Sequence, residues 1–206
     1  GITSFGLVAK VRWLITQKMR GRKIKVGHAG TLDPLATGVM VICTGRATKD
    51  IERLQTGVKE YEATLQLGAT TPSFDLEHEV DATYPTAHIT LEEIERVLQT
   101  FVGEIMQVPP AFSACKVQGK RAYDLARKGE DVELRAKPLR IDGISLIAHD
   151  LEKMQITIRV VCSKGTYIRS LCYDLGRALG TYATMASLVR TQSGIFILEN
   201  AVTPDM

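Results

Sequence analysis

Not one acidic residue precedes Asp33. That stretch carries Lys10, Arg12, Lys18, Arg20, Arg22, Lys23 and Lys25, whereas acids gather later at Asp75, Glu77, Glu79, Asp81, Glu92, Glu93 and Glu95. One end of the chain is therefore suited to a polyanion, of which a phosphate backbone is the commonest, although a merely solvated basic helix face fits the charge pattern equally well. Long apolar runs are missing too. Nothing approaches the ~18–20 consecutive apolar residues of a membrane span, and no signal-peptide pattern is present. The four cysteines, Cys43, Cys115, Cys162 and Cys172, form no CxxC pair. Their scatter argues against a zinc site or a disulfide scaffold and suits small buried thiols in a reducing cytosol. The four histidines (His28, His78, His88, His149) have no paired metal-ligand spacing, and no HExxH or GxSxG occurs. SKGT at 163–166 lacks the glycines of a phosphate loop, since Val160 and Val161 stand where backbone freedom is required. A zinc enzyme, a serine hydrolase and a nucleotide hydrolase lose support together.

What is present is a chain of 206 residues, 45% hydrophobic, enough for one packed core and within the size of a single domain. Thr3–Ser4 can cap a helix that places Phe5, Val8, Val11, Ile15 and Met19 at helical spacing and stops at Gly21. VMVIC (39–43) predicts a short buried strand, followed by a helix from about Ala47 to Gln55. In YEATLQLG, Tyr61, Ala63, Leu65 and Leu67 alternate with polar residues, as in a half-buried strand. Thr90-Leu-Glu-Glu93 forms a capping box ahead of Ile94, Val97, Leu98 and Phe101, with Gly103 as the stop. A shorter helix is expected from Lys120 to Lys128, stopped by Gly129. MQITIRVVC then reads as a strand, and YIRSLCYDLGRAL as a helix leaving the SKGT turn. Without a βαβ rhythm, a repeat or a linker, the pattern predicts one α+β domain over residues 1–206, with a largely antiparallel or mixed central sheet flanked by helices.

One segment is left over. Residues 27–38 read GHAGTLDPLATG, packing three glycines, a histidine and an aspartate into a stretch with hardly any bulky hydrophobe. Asp33 before Pro34 could simply start a turn or cap a helix. But Gly30 and Gly38 would let backbone approach a bulky ligand, and VMVIC would anchor the loop. A carboxylate on such a platform can serve as nucleophile or general base if a cation keeps it ionised, and Arg169 is the leading candidate cation.

KVGHAGTLDPLATGVMVICTGRATK resembles the signature of the TruB-type family of tRNA pseudouridine-55 synthases, with its G-H-x-G-x-L-D-P core. KEYEATLQLG, PPAFSACKVQGKRAYDLARKG and CSKGTYIRSLCYDLG resemble three further family segments, in the same order, so the likeness spans nearly the whole chain. The L-A-T-G and C-S-K-G-T-Y-I-R forms are similar to those of stand-alone bacterial members rather than of guide-RNA-dependent relatives.

The resemblance implies a pseudouridine-synthase-like fold and isomerisation of a uridine in the T-arm loop of tRNA. The C1′–N1 bond breaks and C1′ rejoins the base through C5, on a flipped-out nucleotide, with no cofactor and no metal. It implies Asp33 as the catalytic carboxylate, Arg169 as its cation and Tyr61 as the stacking platform or proton relay. His28 would help fill the space left by the base, Tyr167 and Leu188 would line the pocket, and Asp75 would hydrogen-bond RNA. Phosphate contacts fall to Lys18, Arg20, Arg22, Lys23 and Lys25 and, in the second motif, to Lys116, Lys120 and Arg121. The partner is the T-arm stem-loop of tRNA in the cytoplasm, with no membrane, no guide RNA and no obligate protein partner.

The chain also departs from the family pattern. The family's opening segment, with a D-K-P-x-G-like turn, is expected to be incomplete here, and the small C-terminal RNA-binding domain of many bacterial members is expected to be missing. TYATMASLVRT keeps Arg190 but has Val189 where an arginine is commoner. Two rivals share the same residues: a non-catalytic RNA-binding module, and an N-glycosidase that releases uracil by hydrolysis.

Overall fold

The structure, a computed structural model, describes residues 1–204. Its first elements are α1 (Ser4–Lys18), β1 (Val26–His28), β2 (Thr37–Gly38), β3 (Ile42–Thr44), α2 (Ile51–Leu54) and β4 (Lys59–Leu67). There follow β5 (Ala69–Thr70), β6 (Ala82–Thr83), α3 (Leu91–Thr100), β7 (Gly103–Gln107), β8 (Lys116–Val117), β9 (Lys120–Arg121) and α4 (Ala122–Arg127). The chain closes with β10 (Lys137–Asp150), β11 (Gln155–Cys162), α5 (Ile168–Ala178), β12 (Ala183–Ser193) and β13 (Phe196–Ile197). It forms two compact units, Glu62–Ser187 and, around it in sequence, Gly1–Tyr61 with the chain from Leu188 onward; the division falls within β4 and within β12.

In the Glu62–Ser187 unit the strand order is β4-β11-β10-β7. β4 alternates buried and half-buried residues without a break, as its sequence predicts. Its outward side chains meet β11 in inverse order: Glu62 with Arg159, Thr64 with Thr157, Gln66 with Gln155. β10 is antiparallel to both β11 and β7. Ala63, Leu65, Ile141, Ile158 and Val160 are fully buried; α3 packs on β10 and meets α5, and the two helices bury Ile94 and Val97 and Leu171 and Leu175 respectively. Emptying one such position, as in Leu65→Ala, costs about 2–5 kcal/mol.

In the other unit β12 pairs antiparallel with β13 and parallel with β2, which makes the sheet mixed. Antiparallel β1 and β3 lie over a small core of Ala29, Val39, Val41 and Cys43, joined by Ile51 and Leu54. The fold is α+β with a largely antiparallel, mixed sheet, as the sequence predicts.

Several elements differ from expectation. α1 has its Thr3 cap, whose Oγ1 accepts from the Gly6 N–H, but of its spaced apolar residues only Val8 is buried, while Phe5 is 72% exposed. Leu7, Trp13 and Leu14 spread apolar residues around the rest of the helix, so it has no sharply inward face. Only the end of VMVIC pairs as a strand; the helix expected over 47–55 is a 3-10 turn (Gly45–Asp50) followed by the single turn of α2. Thr90 caps the Glu93 N–H, but Glu93 turns its carboxylate to Arg96 instead of closing the box. Lys120 and Arg121 belong to a hairpin, because Gln118 and Gly119 both take positive φ (49° and 81°), the geometry of a two-residue turn between twisted strands.

Candidate active site

The loop carrying Asp33 is held from three directions. β1 leads into it, and the Ala29 N–H continues the β1–β3 ladder by donating to the Val41 carbonyl. Ser4, the first residue of α1, clasps Leu32 twice: its Oγ donates to the Leu32 carbonyl at 3.1 Å and accepts from the Leu32 N–H at 3.0 Å. Asp33 then opens a turn with Pro34 at its second position, closed by the Ala36 N–H on the Asp33 carbonyl. The turn that the Asp-Pro pair predicts is thus present, and it displays a half-buried carboxylate at its start. Beyond it, Gly38 (φ +108°) lies flat against β12: a Cβ there would sit 2.2 Å from the Arg190 carbonyl oxygen, so only glycine fits.

His28, at the end of β1, is half-buried, and its Nδ1 is enclosed without a hydrogen-bond partner. Burial, reinforced by the positive charge of Arg190, holds its pKa below the usual histidine range, so the ring is neutral near pH 7. Tyr61 on β4 is buried at 8% exposure. Leu188 on β12 is buried in the same unit.

In the Glu62–Ser187 unit, Arg169 occupies the first turn of α5 at 3% exposure, far from the surface ion pair that an isolated arginine suggests. Its Nη1 donates to the Ser73 carbonyl at 3.0 Å, and its Nε lies 3.9 Å from Oδ2 of Asp75. Asp75 is itself buried at 1% exposure; its Oδ1 accepts from the Ser73 hydroxyl at 2.6 Å and from the Glu77 N–H at 3.0 Å. Phe74 just before it takes the left-handed region (φ +65°) and stacks on Tyr173 with ring centroids 4.2 Å apart. Tyr167 immediately precedes α5 as its N-cap, and the side-chain amide of Gln107 bridges its backbone, accepting from the Tyr167 N–H and donating to the Tyr167 carbonyl.

The basic residues expected at RNA lie on the surface. Lys18 at the end of α1, and Arg20, Arg22, Lys23 and Lys25 between α1 and β1, are exposed; Lys116, Lys120 and Arg121 are exposed on the β8–β9 hairpin. Lys23 and Lys25 join Arg12 around a cavity of about 440 Å³ with an apolar floor of Ile24, Val26 and Ile51. Among the described residues no cluster of histidine, cysteine or carboxylates could hold a metal, and no helix is long and apolar enough to cross a membrane.

Sequence reasoning missed Gln107 and the roles of Ser4 and Arg190 at the loop. Each acts through backbone groups remote in sequence, a contact that leaves no spacing signal.

Residues 16–168 match the family model described as TruB family pseudouridylate synthase (N terminal domain), and residues 169–206 match that of the tRNA pseudouridylate synthase B C-terminal domain. The chain is 64% identical over 201 residues to tRNA pseudouridine synthase B of Phocaeicola vulgatus, an alignment covering 98% of this chain and 85% of the relative. It is 47% identical over 201 residues to the protein of the same name from Flavobacterium johnsoniae (97% and 87% covered). Among solved structures it is similar to a chain in the crystal structure of a Cbf5-Nop10-Gar1 complex, with TM-score 0.68 and 29% identity over 96% of this chain. It is also similar to a chain in an H/ACA RNP bound to a substrate RNA containing 2′-deoxyuridine (TM-score 0.66, 27% identity, 96% covered). This chain spans about half the length of those two (47% and 45%). With both family models, near-full-length relatives and the G-H-A-G-T-L-D-P loop all in agreement, the chain belongs to the TruB family of pseudouridylate synthases.

Proposed function

We propose that this protein converts one uridine in the T-arm loop of tRNA into pseudouridine, acting on the RNA alone, without guide RNA, cofactor or obligate protein partner. The observation that carries the reading is the Asp33 turn. A carboxylate stands at the start of a loop secured by Ser4, the β1–β3 ladder and β12, within the stretch that matches the TruB family model. The reaction breaks C1′–N1, turns the uracil in place and joins C1′ to C5, so atoms are conserved and nothing is oxidised. What it asks of the protein is an ionised carboxylate, a base that stays bound and the exclusion of water.

In this reading Asp33 is the catalytic carboxylate, and Arg169 is the cation that keeps it ionised. The burial of Arg169 suits that assignment, because a guanidinium shielded from water is screened less than one at the surface. Extruding the uridine costs a few kcal/mol, which contacts in the pocket must offset. Tyr61 and Tyr167 offer aromatic faces for the base, Leu188 an apolar wall, and His28 a neutral ring for the vacated space. Asp75, occupied by Ser73 and Glu77, supports Arg169 more directly than it could support RNA. The exposed lysines and arginines position the phosphates without reading bases.

The test incubates the chain with an unmodified tRNA transcript and maps pseudouridine with a reagent specific for it. Labelling at one T-loop uridine, with no change in RNA mass, is expected. Asp33→Asn should lower product formation by at least about a thousandfold while RNA binding survives. An unlabelled transcript, free uracil in solution, or an active Asp33→Asn variant each overturns the reading.

A further inference from the structure

A cation is sealed inside the loop that bears Asp33. Arg190, on β12, is 1% exposed, yet its guanidinium is paired with no carboxylate among the described residues. Its donors go to backbone instead: Nε to the Val39 carbonyl at 2.8 Å, Nη2 to Gly30 at 3.1 Å and Nη1 to Thr31 at 3.4 Å. Two of those carbonyls precede Asp33 and the third follows it, so one side chain spans both legs of the loop. The Arg190 backbone adds another tie, its carbonyl accepting from the Val39 N–H at 2.8 Å.

We infer that Arg190 is a positioning residue for the isomerisation, its fork-shaped guanidinium drawing the two legs together and fixing the Asp33 turn in the shape that meets the uridine. The inference rests on the function proposed above. Removing a buried cation from water is costly, and carbonyl dipoles repay it only when several converge. Arginine suits this task because its planar group presents five donors at once, whereas a lysine is a point charge on a flexible stem. The same charge acts on His28, two residues before Gly30. Burial and Arg190 both favour the neutral ring, and a hydrogen bond with the Gly30 backbone works against them.

The role belongs to geometry at the reacting carboxylate, so its loss should appear in the chemical step and not in RNA capture. A displacement of about 1 Å at a reacting group can cost about 100-fold in rate. Arg190→Gln should therefore lower the single-turnover rate by about 100-fold with the Kd for the transcript within threefold of the parent. Arg190→Lys, which keeps the charge and one contact, should recover part of that loss. Hydrogen exchange at the Ala36 and Val39 amides should quicken in both variants, and the His28 pKa followed by NMR should rise in Arg190→Gln. Should Arg190→Gln fail to fold, the lysine variant carries the test. A folded variant that isomerises uridine within threefold of the parent, or that leaves the two amides as protected as before, overturns the inference. If the parent itself makes no pseudouridine, the proposed function falls, and the exchange measurement still decides whether Arg190 holds the loop.

Discussion

At the scale of single residues, His28 is held in an unusual protonation state and Arg190 in an unusual set of hydrogen bonds. His28 titrates below its ordinary 6.5, from burial first and Arg190 second. In the window between its folded value and 6.5, the unfolded chain binds a proton that the folded chain does not, so stability rises with pH there and is lost as pH falls below 6.5. The melting temperature should accordingly be lower at pH 5.5 than at pH 7.5, and His28→Gln should remove part of that decline. A decline of equal size in parent and variant would show that His28 does not contribute. Asp174, whose pKa is raised by burial against the opposing pull of Arg177, contributes in the other direction, but it is common to both proteins and cancels in the comparison. At this scale motif carries far. Asp33 and Arg169 stand out among the residues themselves, and the family resemblance adds His28 and Tyr61, because their neighbours form long, ordered signatures. What the sequence hides is how they are held. Arg190 reaches Gly30 across 160 positions and Gln107 reaches Tyr167 across 60, and a carbonyl accepts from an arginine whatever side chain it belongs to.

At the scale of elements, legibility follows the regularity of burial. β4 and β11 alternate inward and outward residues, and α3 and α5 bury a continuous stripe, so all four are evident from spacing. β10, the longest strand, is not. Its register shifts between Ile141 and Gly143 and again between Leu146 and Ala148, and each irregularity resets the alternation that identifies a strand. The same accounting explains two glycines. Gly176 lies in α5, where alanine is the better helix former by about 1 kcal/mol. A Cβ there, however, would stand 2.3 Å from the Ala183 nitrogen and 2.4 Å from the Tyr182 carbonyl carbon, and neither backbone atom can swing aside. Gly176→Ala should therefore destabilise the protein, by about 1–3 kcal/mol, in chemical denaturation. Gly143, with nothing within 4 Å of its would-be Cβ and no positive φ, supplies the contrast: Gly143→Ala should be neutral or stabilising by up to about 1 kcal/mol. If both substitutions gave the same sign, close packing of α5 on the start of β12 would not be what demands glycine at 176.

At the scale of the whole molecule the deciding quantity is how charge is distributed, since a net charge of +3 is too small to hold a polyanion by itself. The residues before Asp33 are basic without a single acid, and Lys23 and Lys25 converge with Arg12 around one cavity. Neutralising a phosphate releases condensed counterions, so the logarithm of the binding constant falls linearly with the logarithm of salt concentration, by about 0.7–0.9 per phosphate contacted. Lys23→Ala and Lys25→Ala should each make that slope shallower by about 1, weakening binding at low salt and converging on the parent at high salt. Lys153→Ala removes an equally exposed charge from the turn between β10 and β11 and should leave the slope unchanged, although it lowers net charge by the same amount. That contrast separates local contact from general attraction. If RNA were drawn by net charge alone, the three variants would behave alike. If α1 and β1 merely carry a solvated basic face, none of them would move the slope. Only a phosphate path over Lys23 and Lys25 divides them two against one.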